Sequence, residues 1–272
     1  MTINGISEVV NKTLIRTTLS RLNSSFGITT FIVDIYGWLH AGKHVTGVVE
    51  ILSCNLPCPP LYAFIERRLA ALSLHGKFQV ILVFDGPSSN QKHATDTERN
   101  ERRLKLRKEG LEAQSVGDYA KSTALLRSSV DITVDIAKEV LNHLNSLSAE
   151  RKRAIGLKRC VVSINEADPL ISLLNNQINN SCGVMADYDA LPWNLKKNIF
   201  KIDYHTGIVH LFIRDVFDVS AVVSTKLLHS SHFQLIDCCV LAGCDYVKNI
   251  KGEGFKKAVK NIRRYGVWDS DT

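Results

Sequence analysis

The feature that most constrains this chain is the run Phe78–Phe84, FQVILVF, which ends in Asp85. So continuous an apolar stretch, rich in β-branched and aromatic residues, reads as a strand buried on both faces, the kind found in parallel sheets with helices on either side. Thr30–Ile35 (TFIVDI) reads as a further strand, and Lys158–Ile164 (KRCVVSI) and Gly183–Ala186 (GVMA) as two more buried strands. Helices fit between them: Pro60–His75 with Gly76 placed to end it, Asp118–Ser129, and Val134–Leu147 with Thr133 as N-cap. This alternation predicts an α/β fold with a doubly wound, mainly parallel sheet. At 272 residues, 45% of them apolar, the chain can build one large α/β domain or two small ones.

Acids recur where these runs end. Asp34 follows FIV, Asp85 follows QVILVF, Glu166 and Asp168 follow VVSIN, and Asp187 and Asp189 follow VMA. In open α/β sheets the carboxyl ends of the strands form the ligand crevice. Residues i and i+2 of an extended chain point the same way, so Asp187 and Asp189 are expected to face one site. Pro169 pushes Asp168 towards extended geometry, so Glu166 and Asp168 are expected to project together as well. Any one of these acids could be a turn residue or a helix cap, and Asp168 before Pro169 fits an N-cap. The set reads as a metal site. Crowded carboxylates repel one another, and divalent cations resolve that conflict. All-oxygen ligation suits Mg²⁺ or Mn²⁺ over zinc. Two such ions, roughly 3.5–4 Å apart, would activate water and stabilise the leaving oxygen in phosphodiester hydrolysis.

Other chemistries lack their signatures. There is no Gly-x-x-x-x-Gly-Lys loop, no HExxH among the nine histidines and no Gly-x-Ser-x-Gly. No apolar run approaches the roughly 18 residues of a spanning helix, and no signal peptide is visible at the start. The seven cysteines suit buried or incidental thiols in a reducing compartment, and Cys54 and Cys58 lack the second pair a zinc site needs.

The net charge of +7 points to a polyanion, nucleic acid or an acidic membrane. Positive charge concentrates in two places. The stretch Pro87–Gln114 opens polar and becomes a charged helix carrying Lys92, Arg99, Arg102, Arg103, Lys105, Arg107 and Lys108. Taken alone it is a solvated helix face with internal ion pairs. Directly after Asp85, it would bring positive charge to an acidic crevice that phosphates must approach. The second region follows the helix His232–Ala242. It holds Lys248, Lys251, Lys256, Lys257, Lys260, Arg263 and Arg264 around the turn Lys251-Gly252-Glu253-Gly254, which opens the helix Phe255–Tyr265. A glycine turn opening a helix presents backbone N–H groups to a phosphate; an ordinary lysine-rich packing unit reads the same way.

The segments VDIYGWLH (33–40), ILVFDG (81–86), NEAD (165–168), ADYD (186–189) and CVLAGCDYVKNIKGEG (239–254) resemble the flap-endonuclease and excision-repair nuclease superfamily, in its order and spacing over nearly the whole chain. The resemblance implies a PIN-like nuclease fold with a helical arch and a C-terminal helix–two-turn–helix element. It implies a metal site of Asp34, Asp85, Glu166, Asp168, Asp187, Asp189 and Asp245, with Asp34 and Asp85 also catalytic. Lys92 and Arg99 correspond to the arch pair that steers the scissile phosphate. His40, Arg102, Arg103, Lys251, Gly252, Gly254, Lys256 and Lys257 would contact DNA, with a K⁺ ion at the hairpin. The triplet Trp38-Leu39-His40 is similar to the 5′→3′ exonuclease branch. The implied function is a Mg²⁺-dependent nuclease acting in nuclear DNA repair on DNA with 5′ ends or flaps, with no membrane and no repair-protein partner visible in this chain. A flap endonuclease proper, or a DNA-structure-binding relative with weak catalysis, is the alternative. Where the superfamily begins Met-Gly-Ile this chain has Met-Thr-Ile-Asn-Gly-Ile, and Pro169, Ala186 and Glu253 replace a small residue, an acid and an apolar residue. Glu253 is expected to repel a nearby phosphate. The implied organisation is a nuclease region over 1–115 with the arch at about 87–114, an internal region over 116–229, and a duplex-binding element over 230–272 that stops earlier than the superfamily's core.

Overall fold

The computed structural model describes residues 3, 5–45, 47–53, 57–87, 93–216, 232–244, 247 and 250–265. Its strands are β1 (Ile15–Thr18), β2 (Thr30–Asp34), β3 (Gln79–Phe84), β4 (Leu157–Val162), β5 (Ser181–Val184), β6 (Lys197–Ile202) and β7 (Ile208–Ile213). Its α-helices are α1 (Ile6–Val10), α2 (Leu19–Phe26), α3 (Ile35–Gly42), α4 (Val48–Ser53), α5 (Pro59–Gly76), α6 (His93–Ser115), α7 (Tyr119–Ser129), α8 (Val134–Ser146), α9 (Ala149–Ala154), α10 (Ala167–Gln177), α11 (His232–Ala242) and α12 (Phe255–Tyr265). The chain divides into two compact units, residues 29–167, and residues 1–28 with 168–272.

In the unit 29–167, β2 and β4 each pair in parallel with β3, in a register that sets Asp34 beside Val83 and Phe84 beside Val162. Phe31, Ile32, Val33 and Val80 through Phe84 are all buried, as the unbroken apolar runs require. Helix α5 buries Leu61, Ile65, Leu69 and Leu72, a stripe at helical spacing, and α8 buries Ile136, Ala137, Val140 and Leu144. Each such Leu, Ile or Val side chain contributes about 1.5–3 kcal/mol on burial. Caps appear where the sequence offers them: the Thr133 hydroxyl accepts from Ile136 N, and the Asp118 carboxylate accepts from Lys121 N. The end of α5 departs from expectation. Gly76 is its last residue, and the left-handed position falls to Lys77, at φ 53°. Gly76 is needed for space, because a Cβ there would sit 2.2 Å from the Phe78 ring.

The basic stretch after Asp85 is a helical hairpin. Helix α6 runs for 23 residues and packs on α7. The two approach closely at Gly110, where a Cβ would lie 3.0 Å from Leu126.

In the other unit β5 and β6 are parallel, while β7 runs antiparallel to β6 and to β1. The sheet pairing is therefore mixed and mainly parallel, with antiparallel pairs formed by segments that carry no long apolar run. The β6–β7 turn is built by Asp203, whose carboxylate accepts from His205 N and Thr206 N, and by Gly207 at φ 71°. Helix α12 buries Phe255, Ala258, Val259 and Ile262, exposes Lys256, Lys257 and Lys260, and packs on α11 and α1. Among the described residues no helix is long and apolar enough to cross a membrane. The described cysteines, at 58, 160, 182, 238, 239 and 244, are in no disulfide among the described residues; Cys54 lies outside the described residues.

Candidate active site

Three of the expected acids sit at the carboxyl ends of β2, β3 and β4. Asp34 is both the last residue of β2 and the N-cap of α3, its Oδ1 accepting from Tyr36 N at 2.8 Å. Asp85 follows β3, and its Oδ1 accepts from Ala167 N at 2.7 Å, at the start of α10. Glu166 precedes Ala167, and its carbonyl accepts from the Ser163 hydroxyl at 2.7 Å. The loops carrying Asp85 and Glu166 are laced by Ser163 N to Phe84 O and Gly86 N to Asn165 O. They approach so closely that a Cβ at Gly86 would lie 2.2 Å from Ser163 O. Backbone N–H groups thus orient Asp34 and Asp85, and all three acids are half-buried. A neighbouring group registers the charge of Asp34 and Asp85. The Tyr36 phenol is pushed up to about 12, first by burial and then by the Asp85, Asp34 and Asp131 carboxylates.

Beyond these acids, the structure corrects the extended geometry expected of the acid pairs. Asp168 lies in the first turn of α10, so it and Glu166 do not alternate along a strand; Pro169 is accommodated in that first turn. Asp187 is exposed and extended, but Asp189 lies in a 3₁₀ turn, Tyr188–Trp193, so this pair does not alternate either. The Tyr188 hydroxyl meets Asn11 Oδ1 at 2.5 Å. Asp245 and Lys92 lie outside the described residues, as does Lys248, and nothing is described of the Asp189 side chain. Among the described residues no three Asp, Glu, His or Cys side chains converge into a metal cage. The chemistry of the donors at the β2, β3 and β4 ends, carboxylate oxygens alone, fits a hard divalent cation.

Helix α3 leads from Asp34 to a second cluster. Trp38 and Leu39 are buried, with the Arg68 guanidinium over the Trp38 ring, so of the triplet only His40 is exposed. Part of its imidazole is still pressed against protein. Its pKa is held below the usual value by that desolvation and then by Lys43, Arg103 and Arg99, while Asp131 acts in the opposite sense. The α6 arginines therefore lie within electrostatic reach of α3. Arg99 and Arg102 are exposed. Arg103 is engaged by Asp131 at 2.6 Å. Sequence reasoning passed over Asp131 and Tyr36. Tyr36 sits two residues past a strand-end acid and could have been noticed there; nothing local marks Asp131.

The glycine hairpin of the other unit forms a tight turn. Gly252 is exposed at φ 84°, Glu253 N donates to Ile250 O, and the Gly254 carbonyl accepts from Lys257 N and Ala258 N. Lys251 is exposed. Two of the three lysines expected to bind DNA already have protein partners. Lys256 Nζ pairs with Glu8 Oε2 at 2.6 Å, and Lys257 Nζ donates to Gly252 O at 2.7 Å. Glu253 turns inward: its Oε1 accepts from the Asn261 amide at 3.3 Å, and its Oε2 is buried with no hydrogen-bond partner among the described residues.

This fold has counterparts among solved structures. The catalytic core of Rad2 in complex with DNA substrate shares it, with a TM-score of 0.65 and 18% identity over 97% of this chain and 69% of that one. In sequence the chain is similar to exonuclease 1 of Oryza sativa subsp. japonica, 28% identical over 239 residues, covering 86% of this chain and 26% of the relative. It is also similar to flap endonuclease 1 of Coprinopsis cinerea, 28% identical over 234 residues, covering 86% of this chain and 48% of the relative. The chain thus spans about a quarter of the first relative's length and about half of the second's. No family model matches it.

Proposed function

We propose that this chain is a structure-specific DNA nuclease that hydrolyses phosphodiester bonds at or near 5′ ends in the 5′→3′ direction, in nuclear DNA repair. The observation that carries the reading is the pair Asp34 and Asp85 at adjacent strand ends, each held by a backbone N–H and both acting on one phenol, Tyr36. Asp34, Asp85 and Glu166, together with Asp168, Asp187, Asp189 and Asp245, are the metal ligands we assign, with Mg²⁺ as the ion and Mn²⁺ as its substitute. When bound, such ions supply an activated water and charge stabilisation at the leaving oxygen. The chain's own part is to orient carboxylates and to bring positive charge to the phosphate. Arg99 and Lys92 are assigned to the scissile phosphate, and His40, Arg102 and Arg103 to DNA near the acids. Lys251, Gly252, Gly254, Lys256 and Lys257 are assigned to the duplex backbone, with K⁺ at the hairpin. A phosphate would have to displace Asp131 from Arg103 and Glu8 from Lys256, and both are partly exposed pairs of modest strength.

The flap-endonuclease alternative rests on equal identity to both relatives. His40, the one exposed member of its triplet, supports the exonuclease branch. The test is to incubate the purified protein and Mg²⁺ with end-labelled duplexes bearing recessed 5′ ends or long 5′ flaps. Release of nucleotides from recessed ends, lost in EDTA and in Asp187→Ala while DNA binding persists, is the expected result. Cutting only at flaps would move the protein to the other branch. Full activity of Asp187→Ala in a clean preparation would overturn the metal assignment.

A further inference from the structure

The acids occupy the carboxyl ends of β2, β3 and β4; the opposite ends of β3 and β4 carry a feature of the other sign. There Lys77, Lys152, Arg153 and Lys158 line a cavity of about 530 Å³, together with Ser73 and Gln79. The cations come from separate elements: Lys77 from the residue after α5, Lys152 and Arg153 from the last turn of α9, and Lys158 from the start of β4. Two approaches bring them together. Lys77 adopts the left-handed conformation at φ 53°, and Gly156 comes so near β3 that a Cβ there would sit 2.6 Å from Phe78 O. The Lys152 ammonium is steadied by Asn145 O at 2.7 Å. Cations in the last turn of α9 complement its dipole, which accounts for Lys152 and Arg153. It does not account for Lys77 and Lys158, which belong to other elements. No carboxylate is among the described residues lining the cavity. The six residues of β3, at about 3.3 Å each, put it roughly 20 Å from Asp85, so it is not part of the acidic edge.

We propose that this cavity binds the phosphate backbone of a nucleic-acid strand, a contact separate from the acids, the arch and the hairpin. A single strand carries one charge per about 3.4 Å, the dense negative charge that several cations around one concavity call for. An acidic peptide is the competing occupant. Binding of a labelled single-stranded oligonucleotide to the full chain is measured against salt in EDTA, where no strand is cut. Lys77→Glu/Lys158→Glu changes two exposed side chains, and thermal melting checks that it folds; Lys77→Gln/Lys158→Gln serves if it does not. Loss of two contacts is expected to lower the slope of log K against log salt by about 1.4, at about 0.7 per contact on a single strand. The same loss should appear on an Arg102→Glu background, because the sites are independent. A photo-crosslinker on Ser73→Cys is expected to capture the oligonucleotide and to lose it in excess tripolyphosphate. An unchanged slope in a folded variant, absence of crosslinking, or preferential capture of poly-glutamate would overturn the assignment. Cleavage of recessed duplexes by the wild type is scored separately, so an inactive protein would sink the nuclease reading and leave the salt slope to judge the cavity.

Discussion

Gly86 stands next to Asp85 because nothing larger fits between the loops after β3 and β4. A methyl group there would meet Ser163 O at 2.2 Å and Ile164 O at 2.8 Å, both backbone atoms. Gly86→Ala is therefore expected to cost about 1–3 kcal/mol, as overpacking does, and to loosen the bond between Asp85 and Ala167 N. Chemical denaturation reads the first effect and nuclease rate the second; a variant of wild-type stability would show that the loops part freely. His40 makes a pH-dependent prediction. Its folded pKa lies below its ordinary value, so as pH falls through about 6.5 the unfolded chain takes up the proton first. Stability should fall with pH across that window and level off below the folded pKa. His40→Gln should remove this part of the acid limb, seen in denaturation midpoints from roughly pH 8 to pH 5. An identical profile in the variant would mean the imidazole is not held neutral.

At the scale of elements, the helical hairpin of α6 and α7 is the most consequential. Helix α6 is charged around most of its surface and owes its place to α7, to Gly110 and to the Arg103–Asp131 pair. With side chains 26% and 44% exposed, that pair is expected to show a coupling of only about 0.2–1 kcal/mol in a double-mutant cycle. Arg99 is exposed on the same helix, within reach of His40. If it acts on the scissile phosphate in the transition state, Arg99→Ala should lower the single-turnover rate about 10²–10³-fold at saturating enzyme, with little change in Kd. A salt-dependent rise in Kd at an unchanged rate would reduce the arch to an electrostatic attractor.

At the scale of the whole molecule, the basic surface of α12 is braced by the N-terminal helix α1. The Lys256–Glu8 pair joins residues far apart in sequence. Neutralising Lys256 and Lys257 together should lower the slope of log K against log salt for duplex binding by about one per lost contact. Glu8→Ala should tighten duplex binding, because it releases Lys256 from a carboxylate that competes with phosphate. Weaker binding by Glu8→Ala would show that the ion pair positions α12 and that Lys256 does not itself grip the backbone.

Much of this was legible in the chain. Runs such as FQVILVF read as buried strands, and β2, β3 and β5 are buried as that pattern predicts; β4 departs from it, with Lys158, Arg159 and Val162 exposed. Thr133 announced its helix because capping is a local bond. Acids after strands marked Asp34, Asp85 and Glu166 because a strand end fixes where the next side chain can go. Tertiary structure decided the rest. Segments β1, β6 and β7 mix apolar with polar residues, and the antiparallel pairing of β1 with β7 joins strands distant in sequence. Asp168 and Asp189 took helical turns, because a cap or a 3₁₀ turn satisfies backbone groups that an extended strand end leaves unpaired. The partners of the basic residues were also beyond sequence reasoning, since an ion pair such as Arg103–Asp131 or Lys256–Glu8 exists only where folding brings two distant side chains within bonding distance.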